Sequence, residues 1–400
     1  MKKNLSDIDR SRLRGRVVLV RTDLNVPVED GRITDDQRIR ASMLTLRLLS
    51  DAGARVVVLS HMGRPKGQPR PEFSLAPVAD HLSRLLGRTV AFASSAVGSE
   101  VRAAIENLEE GDVLLLENTR FLPGDTSNDP ELASAWAELS DLFVNDAFGA
   151  AHRAHASTSG LAEAVIARGG EAVAGLLLER ELRYLADALQ DPDRPFVAVL
   201  GGAKISGKID VISALLPKVD GLLIGGAMAN TFFRAMGLET GNSLVEEDRI
   251  DMARDLMGEA GERLLLPVDC VVADEIESGV ETRVVARESV GPGDRIGDIG
   301  PETRRLYAQR VRDARTVVWN GPMGVFEIDV FAEGTIEIAR ALADACDADT
   351  LGIIGGGDSG AAAEKAGVAD RISHISTGGG ASLELLAGAS LPGVTSLTDA

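Results

Sequence analysis

Cysteine and histidine are scarce in this chain. Two cysteines, Cys270 and Cys346, among 400 residues exclude a disulfide framework and a four-thiolate zinc site. With only five histidines scattered along the sequence, they point to a reducing compartment, and both thiols read as small buried hydrophobes. No stretch approaches 18 uninterrupted apolar residues, and residues 1–15 carry charges but no apolar signal-peptide core. A soluble, cytoplasmic chain that leaves membranes alone is expected. Positive charge is also in deficit: 42 Lys and Arg against 61 Asp and Glu give −19, a poor balance for wrapping nucleic acid or lying on anionic lipid.

What is present is a globular composition, 44% apolar and 26% charged, which excludes disorder, in a chain long enough for two or three domains. The charge is uneven. Residues 1–70 hold 15 basic and 8 acidic side chains, whereas residues 181–400 hold 20 and 36. A local cationic surface on an acidic protein suits a small anion better than a polyanion.

Short apolar runs alternate with amphipathic stretches, the pattern of repeated βα units and parallel sheets. Residues 17–20, 55–60, 113–116 and 142–144 read as buried strands of one set; 196–200, 221–224, 264–266, 316–319 and 351–354 as a second. After Thr34 and Asp35, a capped helix is predicted to bury Ile39, Met43 and Leu46. Between the sets, 172–190 reads as a helical connector ending in a Pro-punctuated break at 191–195. The fold class expected is α/β: two Rossmann-like parallel-sheet domains joined by a hinge helix, with a ligand cleft between them.

Glycine turns follow the strands of the second set. Residues 201–209, GGAKISGKI, nearly spell a phosphate-binding P-loop, but Ile209 stands where the magnesium-holding hydroxyl belongs. Gly355 to Gly360 is a literal G-x-G-x-x-G, yet the ribose-binding acid due about 20 residues on is missing. Asp358 inside that loop is out of place for a dinucleotide but suits a metal ion on phosphates. With Gly225, Gly226 and the turn at 377–380, several helix N-termini would converge on a polyphosphate, with Lys204 and Lys208 adding charge.

In the first half, polar and basic groups sit at or near strand ends: Arg21, Asp23 and Asn25, then Arg38, His61, Arg64, Arg120 and Arg153. Arginine forks clamp phosphate and carboxylate bidentately, so a convergent set would hold a small molecule bearing both. His152 and His155, three apart, lack an evident third metal ligand.

Eight segments in order then make the likeness specific: VRTDLNVP (20–27), SHMGRP (60–65), LLENTRF (115–121), NDAFGAAHRAHAS (145–157), LGGAKISGKI (200–209), WNGPMGVFE (319–327), GGGDS (355–359) and STGGGAS (376–382). The chain resembles the phosphoglycerate kinases from about Val17 onward. It departs slightly at Thr22 and Leu24, where the family usually has a small apolar residue and Phe.

The resemblance implies reversible phosphoryl transfer between 1,3-bisphosphoglycerate and MgADP, giving 3-phosphoglycerate and MgATP. It implies domains at 1–175 (phosphoglycerate-binding) and 193–385 (nucleotide-binding), a hinge at 176–192, and a segment 386–400 packing back on the first domain. Asp23, Asn25, Arg38, His61, Arg64, Arg120 and Arg153 would bind phosphoglycerate. Lys204, Lys208, Gly225, Gly226, Gly300, Asn320, Glu327, Gly355, Gly356, Gly357 and Asp358 would surround the nucleotide, with Glu327 on the ribose and Asp358 on Mg2+. Arg38 and Lys204 would flank the transferred group, and the backbone N–H groups near Gly357 and Gly379 would complete its cradle. A monomer is expected, closing by a hinge motion.

The chemistry agrees with an absence. The acceptor in the reverse direction is a carboxylate, ionised at pH 7, so no general base is required. Two other classes compete. A nicotinamide dehydrogenase would need the missing ribose acid. A catalytically silent binding protein on the same fold would be expected to lack Lys204, Arg38 or Asp358, all of which are present.

Overall fold

The computed structural model describes residues 2–29, 31–186 and 189–400. The chain divides into two compact units, Met1–Arg183 with Ser390–Ala400, and Tyr184–Ala389.

In the first unit the strands are β1 (Val17–Arg21), β2 (Val28–Glu29), β3 (Arg32–Ile33), β4 (Arg55–Leu59), β5 (Val90–Ala93), β6 (Val113–Leu116), β7 (Leu142–Asn145) and β8 (Glu171–Ala174). Six of them form a parallel sheet in the order β5-β6-β4-β1-β7-β8, and β2 pairs with β3 as a small antiparallel hairpin. The central strands are apolar without alternation because helices cover both faces of the sheet. On one face Val18, Val20, Val56, Val58 and Leu115 pack against Ile39, Met43, Leu46 and Leu49 of the helix Gln37–Asp51. Each such side chain, fully buried, contributes roughly 1.5–3 kcal/mol. That helix begins one residue later than the Thr34–Asp35 pattern suggests: the Asp35 carboxylate accepts from Gln37 N at 2.9 Å, while Asp36 stands at the cap position.

The second unit contains β9 (Phe196–Leu200), β10 (Gly221–Ile224), β11 (Leu264–Leu265), β12 (Asp269–Ala273), β13 (Arg283–Ala286), β14 (Arg295–Ile299), β15 (Thr316–Asn320), β16 (Leu351–Ile354) and β17 (His374–Ile375). Its parallel sheet runs β11-β10-β9-β15-β16-β17, the doubly wound 3-2-1-4-5-6 order, so chain direction across the sheet reverses between β9 and β15. Trp319, Val317, Val199 and Leu223 form its core with Ile338 and Leu342 of the helix Glu333–Asp347. Buried Tyr307 donates its hydroxyl toward the carbonyls of Ile224 and Leu265, each 2.8 Å away. A three-stranded antiparallel sheet, β13-β12-β14, is a second layer that the sequence pattern does not announce.

Two further differences from the sequence reading have local causes. The supposed helical run 172–190 opens as strand β8, because pairing with β7 overrides the helix propensity of its alanines. A helix follows at Leu176–Leu185; residues 187 and 188 of the expected hinge lie outside the described residues. Cys270 is buried, and burial pushes its thiol up to about 12, but Cys346 is only partly buried.

The C-terminal stretch belongs to the first unit, where Thr398 N donates to Ala172 O at 2.9 Å and Asn145 Nδ2 to Gly393 O at 2.8 Å. No described helix is long and apolar enough to cross a membrane.

Candidate functional site

In the first unit the basic groups gather where β1, β4 and β6 end. β1 finishes in Arg21, whose guanidinium is fully buried, so its charge must be answered locally. Arg21 Nε donates to Ser157 Oγ at 3.0 Å, Nη1 to the Thr22 carbonyl, and Nη2 meets His61 Nδ1 at 3.0 Å. His61, just beyond β4, is held well below its ordinary pKa by burial and by the guanidinium charges of Arg21, Arg120 and Arg38. The imidazole is therefore neutral at pH 7.

Asp23, nearly buried, accepts from Arg38 Nη1 at 3.2 Å, and the same nitrogen donates to Asn25 O at 3.3 Å. Arg38 lies in the first turn of its helix and remains about a third exposed, so part of its fork faces outward. Asn25 Oδ1 accepts from Gly63 N at 2.8 Å, and Arg120 Nη1 donates to Gly63 O at 2.9 Å. The loop after β4 is thus stitched between two of the expected binding residues. Burial, then Arg21, lowers the Arg120 pKa to about 10, which leaves it charged at neutral pH. Arg64 and Arg153 are exposed.

Several buried polar atoms around these residues have no hydrogen-bond partner: Thr22 Oγ1, Thr119 Oγ1, Arg120 Nε, Asp125 Oδ2 and His155 Nδ1. Unanswered polar capacity beside a surplus of cations suits a compact anion with several oxygens. Of the residues gathered here, the sequence assigns Asp125 and Ser157 no role, marks Arg21 only as a charge ending an apolar strand, and offers His155 only as half of a metal pair without a third ligand. Asp125 Oδ1 accepts from Ser157 N at 3.0 Å, and burial, partly opposed by Asp125, lowers His155 to about 4. Among the described residues no cluster of three or more His, Cys, Asp or Glu is placed to hold a metal ion.

In the second unit the glycine turns lie at the carboxyl ends of β9, β10, β15 and β16, around the point where chain direction reverses. The turns after β9 and β15 touch backbone to backbone. Gly201 N donates to Asn320 O at 3.0 Å and Gly202 N to Pro322 O at 3.0 Å. A Cβ at Gly226, where φ is +66°, would lie 2.5 Å from Gly202 N, so only glycine fits this approach. Gly225 packs on Met323, chiefly on its thioether, where a Cβ would lie 2.5 Å from Sδ.

Asn320, nearly buried at the end of β15, links the pieces. Its Oδ1 accepts from Lys208 Nζ and its Nδ2 donates to Gly355 O. Burial lowers Lys208 to about 8, against the pull of Asp358, so the ammonium is still largely charged at pH 7. Gly356, at φ +108°, precedes the helix Gly357–Lys365, whose first turn has free backbone N–H groups and carries exposed Asp358. Lys204 is exposed on the turn after β9.

A cavity of about 440 Å³ opens beside these turns, lined by Gly202, Gly226, Met323, Val325, Glu327 and Asp358 among others. Leu244, Ile276 and Ile296 add apolar walls. Apolar sides with a glycine-and-charge end match the two halves of a nucleoside polyphosphate. Gly300 and Gly379 stand apart from this wall. Gly300 caps the helix Pro301–Arg312, and a Cβ there would run into the Asp269 carboxylate, so packing alone demands a glycine. Gly379, at φ +52°, opens the seven-residue helix Gly380–Leu386, which offers N–H groups more than a dipole.

Comparison with known proteins places this geometry. The phosphoglycerate kinase family model matches residues 6–389. The curated phosphoglycerate kinase of Chlorobium limicola is 54% identical, with all of both chains covered. The solved structure of phosphoglycerate kinase from Coxiella burnetii is 42% identical with a TM-score of 0.88, and that from Pyrococcus horikoshii OT3 is 33% identical with a TM-score of 0.84. Each alignment covers 99% of this chain and 98% of the solved one. With a cationic cluster in one α/β unit, glycine turns around a nucleotide-sized cavity in the other, and these likenesses along its whole length, the chain belongs to the phosphoglycerate kinase family.

Proposed function

We propose that this chain transfers the acyl phosphate of 1,3-bisphosphoglycerate to MgADP, reversibly, giving 3-phosphoglycerate and MgATP. The observation that carries the reading is the second unit's cavity at the sheet's switch point, lined by the glycine turns at Gly202 and Gly226 with Glu327 and Asp358, beside which Asn320 ties Lys208 to the Gly355 turn. The first unit supplies the anion side, where Arg38, Arg120, Arg64 and Arg153 outnumber the acids Asp23 and Asp125.

Phosphoglycerate would be oriented by Asn25, Asp23 and the arginines, with neutral His61 as a hydrogen-bonding partner. Catalysis then reduces to alignment and charge neutralisation around a metaphosphate-like group. Arg38 and Lys204 would neutralise its equatorial oxygens, and the N–H groups near Gly357 and Gly379 would donate to them. Asp358 is one exposed carboxylate rather than a cage, which fits Mg2+ held mainly by nucleotide phosphates and water. Bound there, the ion would offset phosphate charge. Glu327 would accept from the ribose. Gly225 and Gly226 would shape the nucleotide pocket through close packing, and Gly300 would act at one remove by seating the helix Pro301–Arg312 against Asp269.

The reading extends to a monomer, and to a reducing cytoplasm, the latter supported by two free cysteines. Transfer between ligands held on different units requires the two to be brought together in the ternary complex. Scattering profiles with and without both substrates test that requirement. The decisive assay is ATP formation from MgADP and 1,3-bisphosphoglycerate by the full chain; no ATP above the enzyme-free rate overturns the proposal.

A further inference from the structure

Asp298 is among the residues lining the nucleotide cavity yet has no part in the reaction described above. It sits on β14 at a bulge: Val271 pairs with Asp298 and Val272 with Ile296, so Gly297 is skipped. Asp298 is 2% exposed, and both its oxygens are committed. Oδ2 accepts from Gly334 N at 2.7 Å, at the start of the helix Glu333–Asp347, and Oδ1 from Ile299 N at 2.8 Å. The carboxylate also fills the space that a Cβ at Gly324 or Gly334 would take. Gly324 is itself part of the cavity wall, and the next residue, Val325, donates its N–H to Gly297 O at 2.9 Å. One side chain therefore wedges together three segments: β14, the wall at 322–327 that carries Glu327, and the helix behind it.

We propose that Asp298 is a positioning residue for the nucleoside half of the nucleotide, its ionised carboxylate holding the wall at 322–327 in the shape that adenosine fits. The inference rests on the nucleotide-site reading given above. Ionisation matters because both partners are N–H donors; a protonated oxygen would turn a third donor toward them. The charged groups facing Asp298 are Arg304 from the helix Pro301–Arg312, which favours the anion, and Glu333 from its own helix start, which opposes it. Burial outweighs the hydrogen bonds and lifts the carboxyl to about 7. The clamp therefore weakens as pH falls through neutrality.

The test is adenosine binding by calorimetry on the full chain, because adenosine has no phosphate to titrate. Wild-type affinity is expected to fall about tenfold from pH 8 to pH 6, following the ionised fraction. Asp298→Asn is expected to bind about tenfold more weakly at pH 8, with little pH dependence, since it places an amide N–H against a backbone donor. In steady-state kinetics the same change raises the KM for MgADP and leaves the KM for 3-phosphoglycerate within twofold. A purely structural role would instead lower the melting temperature and leave these ratios alone. Asp298→Asn with wild-type affinity and pH profile overturns the inference while the function stands. If Asp298→Asn does not fold, the wild-type series decides, and a flat profile overturns the inference. A wild-type chain that binds no adenosine overturns the inference, whereas the ATP-forming assay alone decides the proposed function.

Discussion

The buried guanidinium of Arg21 meets Nδ1 of His61 at 3.0 Å. Arginine can only donate, so Nδ1 must be the acceptor and the ring proton must sit on Nε2. Burial, then Arg21, Arg120 and Arg38, oppose a second proton. His61 is expected to show the neutral Nε2–H pattern in nitrogen-15 NMR and no titration between pH 6 and 8. A midpoint at or above 6.5 would mean that the cationic cluster does not surround it as described.

Arg38 is fixed by Asp23 and the Asn25 carbonyl through a single nitrogen, Nη1. The rest of its fork is available to charge that develops only during transfer. Arg38→Ala is expected to lower kcat by about 10²-fold or more, the scale of losing one oxyanion donor. Arg38→Lys keeps the charge without the fork and should recover only part of the rate. A wild-type kcat for Arg38→Ala would remove this residue from the transition state.

Asp358 has a different dependence. Its exposed carboxylate stands in the first turn of a glycine-led helix, where a metal-bound polyphosphate would lie. Asp358→Asn is expected to raise the magnesium concentration giving half-maximal rate by about tenfold, from loss of one charged ligand. An unaltered magnesium titration would take Asp358 out of the metal's surroundings.

Much of this was legible in the residues, and the exceptions share a cause. Strands such as 196–200 and 351–354 announce themselves because parallel strands covered on both faces are unbroken apolar runs. The glycine turns are visible because backbone contact and positive φ admit little else, as at Gly226 and Gly356. Strand β8 reads as helix because Ala172 and Ala174 carry no β signal, and its pairing partner lies almost 30 residues upstream. Asp125 and Glu246 are equally silent. Each acts through a hydrogen bond or charge whose partner is set by tertiary folding, and no local spacing encodes that.

Glu246 illustrates such a partner. Its Oε2 accepts from Ser206 N at 3.0 Å and its Oε1 from the Ser206 hydroxyl, while its own N–H donates to Thr231 Oγ1 at 3.2 Å. Burial resists its ionisation, but the Ser206 bonds prevail and hold the carboxyl below its ordinary pKa. Ser206 lies between Lys204 and Lys208, so Glu246 pins the turn that presents both ammonium groups. Glu246→Ala is expected to reduce kcat by about tenfold, the scale of a hydrogen bond to a charged group, and Glu246→Gln to restore part of it. Saturating-substrate kinetics with a wild-type kcat for Glu246→Ala would show that the turn holds its shape unaided.

Asp146 carries the last prediction, on stability. It is buried at the end of β7, and its Oδ1 accepts from Leu177 N at 2.9 Å and Leu178 N at 3.2 Å, capping the helix Leu176–Leu185. Thr45 adds a side-chain hydrogen bond to the carboxylate, yet burial raises the carboxyl to about 6 despite all three bonds. The unfolded chain titrates near 3.8, so between these values the folded state binds the proton more tightly. Folding is thus favoured as pH falls from 7 through 6 and the effect is complete below about 4, a gain on the order of 3 kcal/mol at 1.36 per pKa unit. Asp146→Asn keeps the accepting oxygen and removes the titration. Trp136 lies in the first unit and Trp319 in the second, so urea unfolding followed by fluorescence in a Trp319→Phe background reports on the first unit alone. From pH 7 to 5 the background chain should gain stability relative to the same chain carrying Asp146→Asn. Asp146→Ala, which loses the cap, should be less stable than Asp146→Asn at both pH values by about 1 kcal/mol. Equal pH slopes with and without Asp146→Asn would mean that this carboxyl is ionised in the folded chain at little expense.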